Sequence, residues 1–170
     1  MRVVIAGAGS VGRSIARELL RNEHQVLLAD RDAAQERVQK VPDASWLQAD
    51  ACEIEALGEA VLAECDVVVA ATGDDKVNLV LSLLAKTEFG VPRTVARVNN
   101  PKNEWMFDES WGVDVAVSTP RLMTALIEEA VAIGDLVRIF EFQQGRAAMV
   151  EITLPEDSPF AGRRVGDVEW

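Results

Sequence analysis

A glycine-rich loop near the start of the chain constrains the fold more than any other feature of the sequence. Gly7, Gly9 and Gly12 stand in the order G-x-G-x-x-G directly after the apolar run Val3–Ala6, and they open an amphipathic helical pattern. In such a strand–turn–helix unit the first glycine allows a tight turn, the second lets the backbone approach a pyrophosphate, and the third lets helix and strand pack closely. The helix N-terminus then offers free N–H groups to phosphate oxygens. The loop therefore predicts a dinucleotide-binding unit.

A carboxylate completes this pattern. Asp30 follows the second predicted strand, about 20 residues beyond the last glycine, where dinucleotide-binding domains carry the acid that accepts hydrogen bonds from the adenosine ribose. The same charge would repel a 2′-phosphate, so the pattern favours NAD(H) or another adenine nucleotide over NADP(H), although the adjacent Arg31 weakens this exclusion. The alternative interpretation is a glycine turn that only packs, with Asp30 acting as a helix cap.

Short β-rich runs alternate with helical patterns through the first two thirds of the chain. The predicted strands are Val3–Ala6, Gln25–Ala29, Ser45–Gln48, Val67–Ala71, Thr94–Val98 and Val113–Val117. Some of these runs are continuously apolar, as is typical of parallel strands that are covered on both faces. The alternation predicts an α/β fold with a Rossmann-like, doubly wound parallel sheet.

The pattern changes after the sixth strand. A long helix with an apolar face is predicted over Pro120–Gly134, and two β-like runs follow at Leu136–Phe142 and Ala147–Leu154, which predicts a hairpin. We therefore expect a nucleotide-binding domain over residues 1–134. Residues 135–170 are expected to form a β-hairpin and linker.

The composition excludes several functional classes. Asp and Glu number 28 against 17 Lys and Arg, giving a net charge of -11, and such a surface repels nucleic acid and gains nothing from an anionic membrane. Cys52 and Cys65 are the only cysteines and form no C-x-x-C pair, so we expect free, partly buried thiols and no metal site. The chain opens on a strand, and its apolar runs are too short to span a membrane. These features predict a soluble, cytosolic protein.

Further segments keep their register with the glycine loop. After GAGSVG they are VLLADRD, LQADACEIEAL, VVVAATGDDKVNLVLSLLAK, TVARVNNPKNEWMF and GVDVAVSTPRLMTALI. Together these segments resemble the nucleotide-binding regulatory domains of Trk/Ktr-type potassium uptake systems, the RCK or KTN domains. The late segment EITLPEDSPFAGRRVGDV resembles the entry to the family's second, ligand-sensing domain. The resemblance therefore implies a chain that stops soon after the first domain.

The resemblance also implies roles for individual residues. The glycine loop would wrap the phosphates and the carboxylate of the second strand would take the ribose, while Asp50 and Ala51 would lie beside the adenine. Thr72 and Gly73 would approach the ribose or phosphates, and Arg97 would reach the phosphates or bridge to a partner subunit. The candidate nucleotide-binding residues are Gly7, Ala8, Gly9, Ser10, Val11, Gly12, Asp30, Arg31, Asp50, Ala51, Thr72, Gly73 and Arg97.

Cofactor and partners follow from the same resemblance. Family members that favour ATP or ADP often carry an arginine inside the loop where this chain has Ser10, so NAD(H) is the expected cofactor and ATP, ADP or AMP are the alternatives. The implied partner is a membrane potassium transporter, regulated from the cytoplasmic face. The helix Pro120–Gly134 has an apolar face wide enough for a second copy, so a dimer or a larger ring is expected. The alternative is that this helix lies on its own sheet.

The main rival function is that of an NAD-dependent oxidoreductase. Hydride transfer requires a group that gives or takes the substrate proton, whereas the chain has no tyrosine and its lone His24 lies in a polar turn. We therefore predict no catalytic residue. Asp74 and Asp75 are expected to cap a helix and to lie at the surface. Arg97 follows an apolar residue on a central strand, so its charge must be paired or face a cleft.

Overall fold

The computed structural model of the chain describes residues 1–32, 35–58, 62, 64–131, 136–142 and 147–167. The described chain divides into two compact units, Met1–Thr119 and Pro120–Trp170. The predicted domain boundary after Gly134 falls outside the described residues.

The first unit is built on a sheet of six parallel strands, as the sequence predicts. The strands are β1 Arg2–Ala6, β2 Gln25–Asp30, β3 Ser45–Gln48, β4 Val67–Ala70, β5 Arg93–Val98 and β6 Val115–Ser118. Their order across the sheet is β3-β2-β1-β4-β5-β6, and each neighbouring pair is parallel. The chain thus winds outward in both directions from β1, and the crevice at the carboxyl ends of β1 and β4 is the point where such sheets bind ligands.

Helices connect the strands and cover both faces of this sheet. They are α1 Ser10–Arg21, α2 Gln35–Val38, α3 Ile54–Leu57 and α4 Asp75–Thr87, with two 3-10 helices at Pro101–Met106 and Glu109–Trp111. Ile5 and Leu28 pack in one core cluster with Ala16 of α1, whereas Val68 packs in a second cluster with Leu81 of α4. Both faces of β1 and β4 are buried, which explains why these strands carry continuous apolar runs.

Several strand boundaries shift by one residue from the prediction, and the start of the sixth strand shifts by two. The sixth strand was expected to begin at Val113, but β6 begins two residues later. The backbone N–H of Val113 donates to the carbonyl oxygen of Asp108, and Gly112 adopts a left-handed conformation with φ of 69°. The segment before β6 therefore closes a tight turn, and the apolar Val113 is buried in the core from that turn.

The helix α5, Thr119–Val131, begins at the last residue of the first unit, and its remaining residues belong to the second unit. The second unit also contains the antiparallel strands β7 Leu136–Phe142 and β8 Ala147–Ile152. The predicted hairpin is confirmed, although the expected end of the helix at Gly134 lies outside the described residues. In the described part of the chain, no helix combines the length and the apolar character that crossing a membrane requires.

Candidate nucleotide-binding site

A cavity of about 370 Å³ opens at the carboxyl edge of the sheet, where β1 adjoins β2 and β4. The predicted residues that line it are Gly7, Gly9, Ser10, Val11, Asp30, Arg31, Asp50, Ala51, Thr72, Gly73 and Arg97. Two predicted residues, Ala8 and Gly12, do not line it, and both are buried. The fold therefore brings together residues from five separate segments of the sequence.

The glycine loop is held so tightly that side chains are excluded at two of its three glycines. Gly7 has φ of +101°, and a Cβ atom there would lie 2.8 Å from the carbonyl oxygen of Ala71. A Cβ atom on Gly12 would lie 1.9 Å from the carbonyl oxygen of Gly7. At Gly9 a Cβ atom would meet nothing within 4 Å, because that position faces the open cavity. The loop thus leaves room for a ligand at the middle glycine alone.

The N-terminus of α1 points its first backbone N–H groups toward this space. Gly9 is the N-cap residue and provides no side-chain hydrogen bond, and the first hydrogen bond of the helix runs from the N–H of Arg13 to the carbonyl oxygen of Gly9. The N–H groups of the first turn are unpaired within a helix by geometry, and their dipoles favour an anion. Ser10 and Val11 of this turn line the cavity, so the turn suits a phosphate.

Asp30, at the end of β2, is tied directly to the glycine loop. Its Oδ2 accepts a hydrogen bond of 2.6 Å from the N–H of Ala8, and its Oδ1 accepts one of 2.9 Å from the N–H of Asp32. The side chain is 18% exposed, and Oδ1 also lies 3.5 Å from Nη1 of Arg37. Asp30 is therefore a fixed, largely buried carboxylate on the cavity wall.

A second carboxylate stands across the cavity mouth on the loop after β3. Asp50 accepts a hydrogen bond of 2.9 Å from the N–H of Cys52 and lies 3.8 Å from Nη1 of the exposed Arg31. Cys52 is half-buried, and burial, followed by the charge of Asp50, raises the pKa of its thiol. Cys65 is buried, and this burial raises the pKa of its thiol to about 11. Both cysteines are free, as the sequence predicts.

The ends of β4 and β5 are joined by a buried amide that the sequence analysis missed. Asn78 of α4 is fully buried; its Oδ1 accepts hydrogen bonds from the N–H (3.0 Å) and the hydroxyl (2.6 Å) of Thr72. Its Nδ2 donates to the carbonyl oxygen of Arg97 at 2.8 Å. Nothing in the local sequence marks this asparagine, because its partners are distant along the chain. It fixes the relative positions of two predicted site residues.

Arg97 faces the cavity, as its position on a central strand requires. Its Nε is buried and has no hydrogen-bond partner among the residues that the structure describes. A buried guanidinium nitrogen without a partner is costly in a folded protein. An anionic ligand in the cavity would accept a hydrogen bond from this nitrogen.

The two acids at the start of α4 behave differently from each other. Asp74 caps the helix as expected, since its carboxylate accepts a 2.9 Å hydrogen bond from the N–H of Lys76, and it also lines the cavity. The prediction of surface charge is wrong for Asp75, which is buried and accepts hydrogen bonds from the N–H of Asn99 (2.6 Å) and from Nδ2 of Asn103 (2.8 Å). Burial alone would raise the pKa of Asp75, but the hydrogen bonds from Asn99, Asn103 and Asn100 outweigh it and lower the pKa. Local capping statistics cannot reveal such distant partners.

Two further residues line cavities at the carboxyl and amino edges of the sheet. Arg37 of α2 lines the cavity, although no motif in the sequence points to it. His24 lies at the opposite edge, before β2, where it lines a separate cavity of about 420 Å³. The lone histidine is therefore remote from the predicted site.

Comparisons with known proteins extend the evidence beyond the cavity. The sequence model of the TrkA-N domain matches residues 3–119. The Trk system potassium uptake protein TrkA of Mycobacterium tuberculosis is 60% identical over 165 residues, which cover 97% of this chain and 75% of that protein. The TrkA-N domain of the inner membrane protein ybaL from Escherichia coli has a TM-score of 0.68 at 14% identity, over 77% of this chain and 96% of that chain; this likeness concerns the fold alone. The GsuK RCK domain has a TM-score of 0.61 at 26% identity, over 69% of this chain and 25% of that chain.

Proposed function

The chain belongs to the TrkA family of Trk system potassium uptake proteins, and on this premise we propose that it senses an adenine nucleotide and regulates a membrane potassium transporter. The family membership confirms the resemblance found in the sequence. The GsuK RCK domain, which is similar at 26% identity, supports a regulatory, nucleotide-binding role for this fold.

One observation carries the nucleotide proposal: the glycine loop, the N-terminus of α1 and Asp30 converge on a single cavity at the carboxyl edge of the sheet. In the proposed complex the loop and the first turn of α1 hold the phosphates, and Arg97 reaches the same groups through its unsatisfied Nε. Asp30 accepts hydrogen bonds from the adenosine ribose, and Asp50 and Ala51 lie beside the adenine. This division of roles matches the chemistry of each wall.

We propose NAD(H) as the ligand, with ATP, ADP and AMP as alternatives that share its adenosine half. The glycine loop offers Ser10 and no cation of its own, so three consecutive phosphates would gain less from it than a pyrophosphate does. The cationic side chains that line the cavity, Arg31, Arg37 and Arg97, come from outside the loop. Of these, Arg31 and Arg37 already lie beside carboxylates.

The proposed role is regulatory and not catalytic. A dehydrogenase needs a proton donor or acceptor beside the nicotinamide. The chain contains no tyrosine, and His24 lies at the amino edge of the sheet, opposite the proposed site. Nucleotide occupancy can then act only through a difference in affinity between two conformations or assemblies.

We further propose that the chain works as a homodimer, or a larger ring, on the cytoplasmic side of a membrane transporter. The support lies on α5, where Met123, Leu126 and Ile127 are 58%, 51% and 60% exposed. Large apolar side chains at this helical spacing form one stripe. An exposed apolar stripe is typical of a surface that a protein partner covers, and a second copy of the same helix supplies a matching one.

Calorimetric titration of the whole chain with NADH, NAD⁺, AMP and ATP tests the nucleotide proposal. We expect Asp30→Ala to weaken every ligand that contains adenosine by about 1.5–3 kcal/mol, because a pair of charge-assisted hydrogen bonds to the ribose is lost. Asp43→Ala is the matched control, since it removes the same charge from an exposed position at the opposite edge of the sheet. Unchanged dissociation constants in Asp30→Ala, at an unchanged melting temperature, would refute the assignment of the ribose.

A further inference from the structure

An arginine lies beside the carboxylate that is proposed to hold the ribose. Arg37, on the single turn of α2, places Nη1 3.5 Å from Oδ1 of Asp30. Its Nη2 lies 3.1 Å from Oδ2 of Asp32, and Nη1 donates to the carbonyl oxygen of Asp32 at 3.3 Å. The Arg37 side chain is 35% exposed and lines the cavity. Its guanidinium is therefore held chiefly by Asp32 and turned toward Asp30.

This arrangement changes what the ribose end of the cavity presents to a ligand. A lone carboxylate there would repel a second anion. Asp30 is not alone, because a cation stands at 3.5 Å from it and is kept there by a different carboxylate. The contact between Arg37 and Asp30 is long for a hydrogen bond and is easily exchanged for a better acceptor.

Building on the nucleotide-binding function proposed above, we propose that Arg37 lets the site accept adenine nucleotides with a 2′-phosphate as well as those with a free 2′-hydroxyl. The carboxylate of Asp30 accepts a hydrogen bond from the 2′-hydroxyl, whereas the planar guanidinium of Arg37 offers paired N–H donors to a 2′-phosphate. Asp32 keeps hold of Arg37 in either case, so the side chain needs only to give up its long contact with Asp30. Arg37 thus determines specificity at a position that the glycine motif does not reveal.

Arg31 is the other arginine on this side of the cavity. The sequence predicted that Arg31 weakens the exclusion of a 2′-phosphate, but its surroundings point to Arg37 instead. Its side chain is 75% exposed and lies 3.8 Å from Asp50, on the side proposed for the adenine. It provides a matched control: the same side chain, on the same rim, beside a different carboxylate.

The test measures the affinity of the whole chain for 5′-AMP and for adenosine 2′,5′-bisphosphate by calorimetry, in the wild type, Arg37→Ala, Arg37→Lys and Arg31→Ala. We expect the wild type to bind both ligands, and Arg37→Ala to lose about tenfold or more for the bisphosphate while AMP changes by less than about threefold. Arg37→Lys should recover part of the loss, and Arg31→Ala should leave the ratio of the two affinities unchanged. Binding of AMP also reports that each variant is folded.

Three results would overturn the inference. These are a wild type that binds AMP but no bisphosphate, an Arg37→Ala variant that loses both ligands equally, and a ratio that shifts in Arg31→Ala in place of Arg37→Ala. A wild type that binds neither ligand would refute the proposed function itself, and the role of Arg37 with it.

Discussion

Alanine substitution at two glycines of the loop should separate folding from binding. At Gly12 a new Cβ would lie 1.9 Å from the carbonyl oxygen of Gly7, so a backbone segment must move by more than an ångström. Overpacking of that severity costs about 3 kcal/mol, which for a unit of this size lowers Tm by about 10 °C. At Gly9 a Cβ would meet nothing within 4 Å, and φ is −68°.

The substitution Gly9→Ala should therefore leave the protein folded. A lower entropy of the unfolded chain stabilises it by about 0.4–1 kcal/mol, and the poorer N-cap offsets a similar amount, so Tm should stay nearly constant. The new methyl group nevertheless projects into the cavity where the phosphates are proposed to lie. We expect nucleotide affinity to fall by about tenfold, the equivalent of one charge-assisted hydrogen bond.

Differential scanning fluorimetry without ligand and calorimetry with NADH measure the two effects separately. Gly166→Ala is the control, because that glycine also faces open space but lies in the second unit. Its affinity should not change, and its Tm should change by no more than the small entropic gain of a glycine-to-alanine substitution. A Gly12→Ala protein with wild-type Tm would refute the packing argument. A Gly9→Ala protein that binds NADH with wild-type affinity would refute the placement of the phosphates.

Two further substitutions test other parts of the structure. The pKa of Asp75 is lowered in the folded protein, so its ionised form stabilises the fold above the ordinary carboxyl pKa of 3.8. This stabilisation is lost as the pH falls through the lower folded-state pKa. Asp75→Asn should therefore be less stable than the wild type at pH 7, and its free energy of unfolding should depend less on pH in acid denaturation. An identical acid transition in both proteins would contradict this. Leu126→Glu places a charge in the exposed apolar stripe of α5. Analytical ultracentrifugation should then show a monomer in place of the dimer, with an unchanged circular dichroism spectrum, because an interface of about 800 Å² per partner does not tolerate an unpaired charge. A wild type that is already monomeric at tens of micromolar would refute the dimer.

The sequence was most informative where one local rule decides the structure. The alternation of apolar runs predicted the parallel strands, and the spacing of Gly7, Gly9 and Gly12 predicted the loop, because tight turns admit few residues. Both were confirmed by the sheet order and by the lack of space at Gly7 and Gly12. Asp30 was identified by its distance from the loop, and the structure places it against the N–H of Ala8. Its role toward a ligand remains a proposal.

The sequence was least informative where distant segments meet. Asn78 has an ordinary position in a helix, and its function as a link between β4 and β5 depends on the packing of α4 against both strands. Asp75 was misassigned to the surface because the run of two acids before a helix resembles an ordinary cap, whereas its partners lie more than 20 residues away. Arg37 was missed for a different reason: Asp30 is only seven residues away along the chain, but no motif links the two positions.

The two walls of the cavity differ in how firmly they are held. On the β4 and β5 side, the fully buried Asn78 fastens both strand ends with part-buried hydrogen bonds. On the β2 and β3 side, Asp30 is fixed by the N–H of Ala8, but the ion pairs of Arg31 and Arg37 involve side chains that are 75% and 35% exposed, and pairs of this kind weaken with salt and contribute little. We therefore expect higher ionic strength to loosen the contacts of these two arginines while the hydrogen bonds of Asn78 persist.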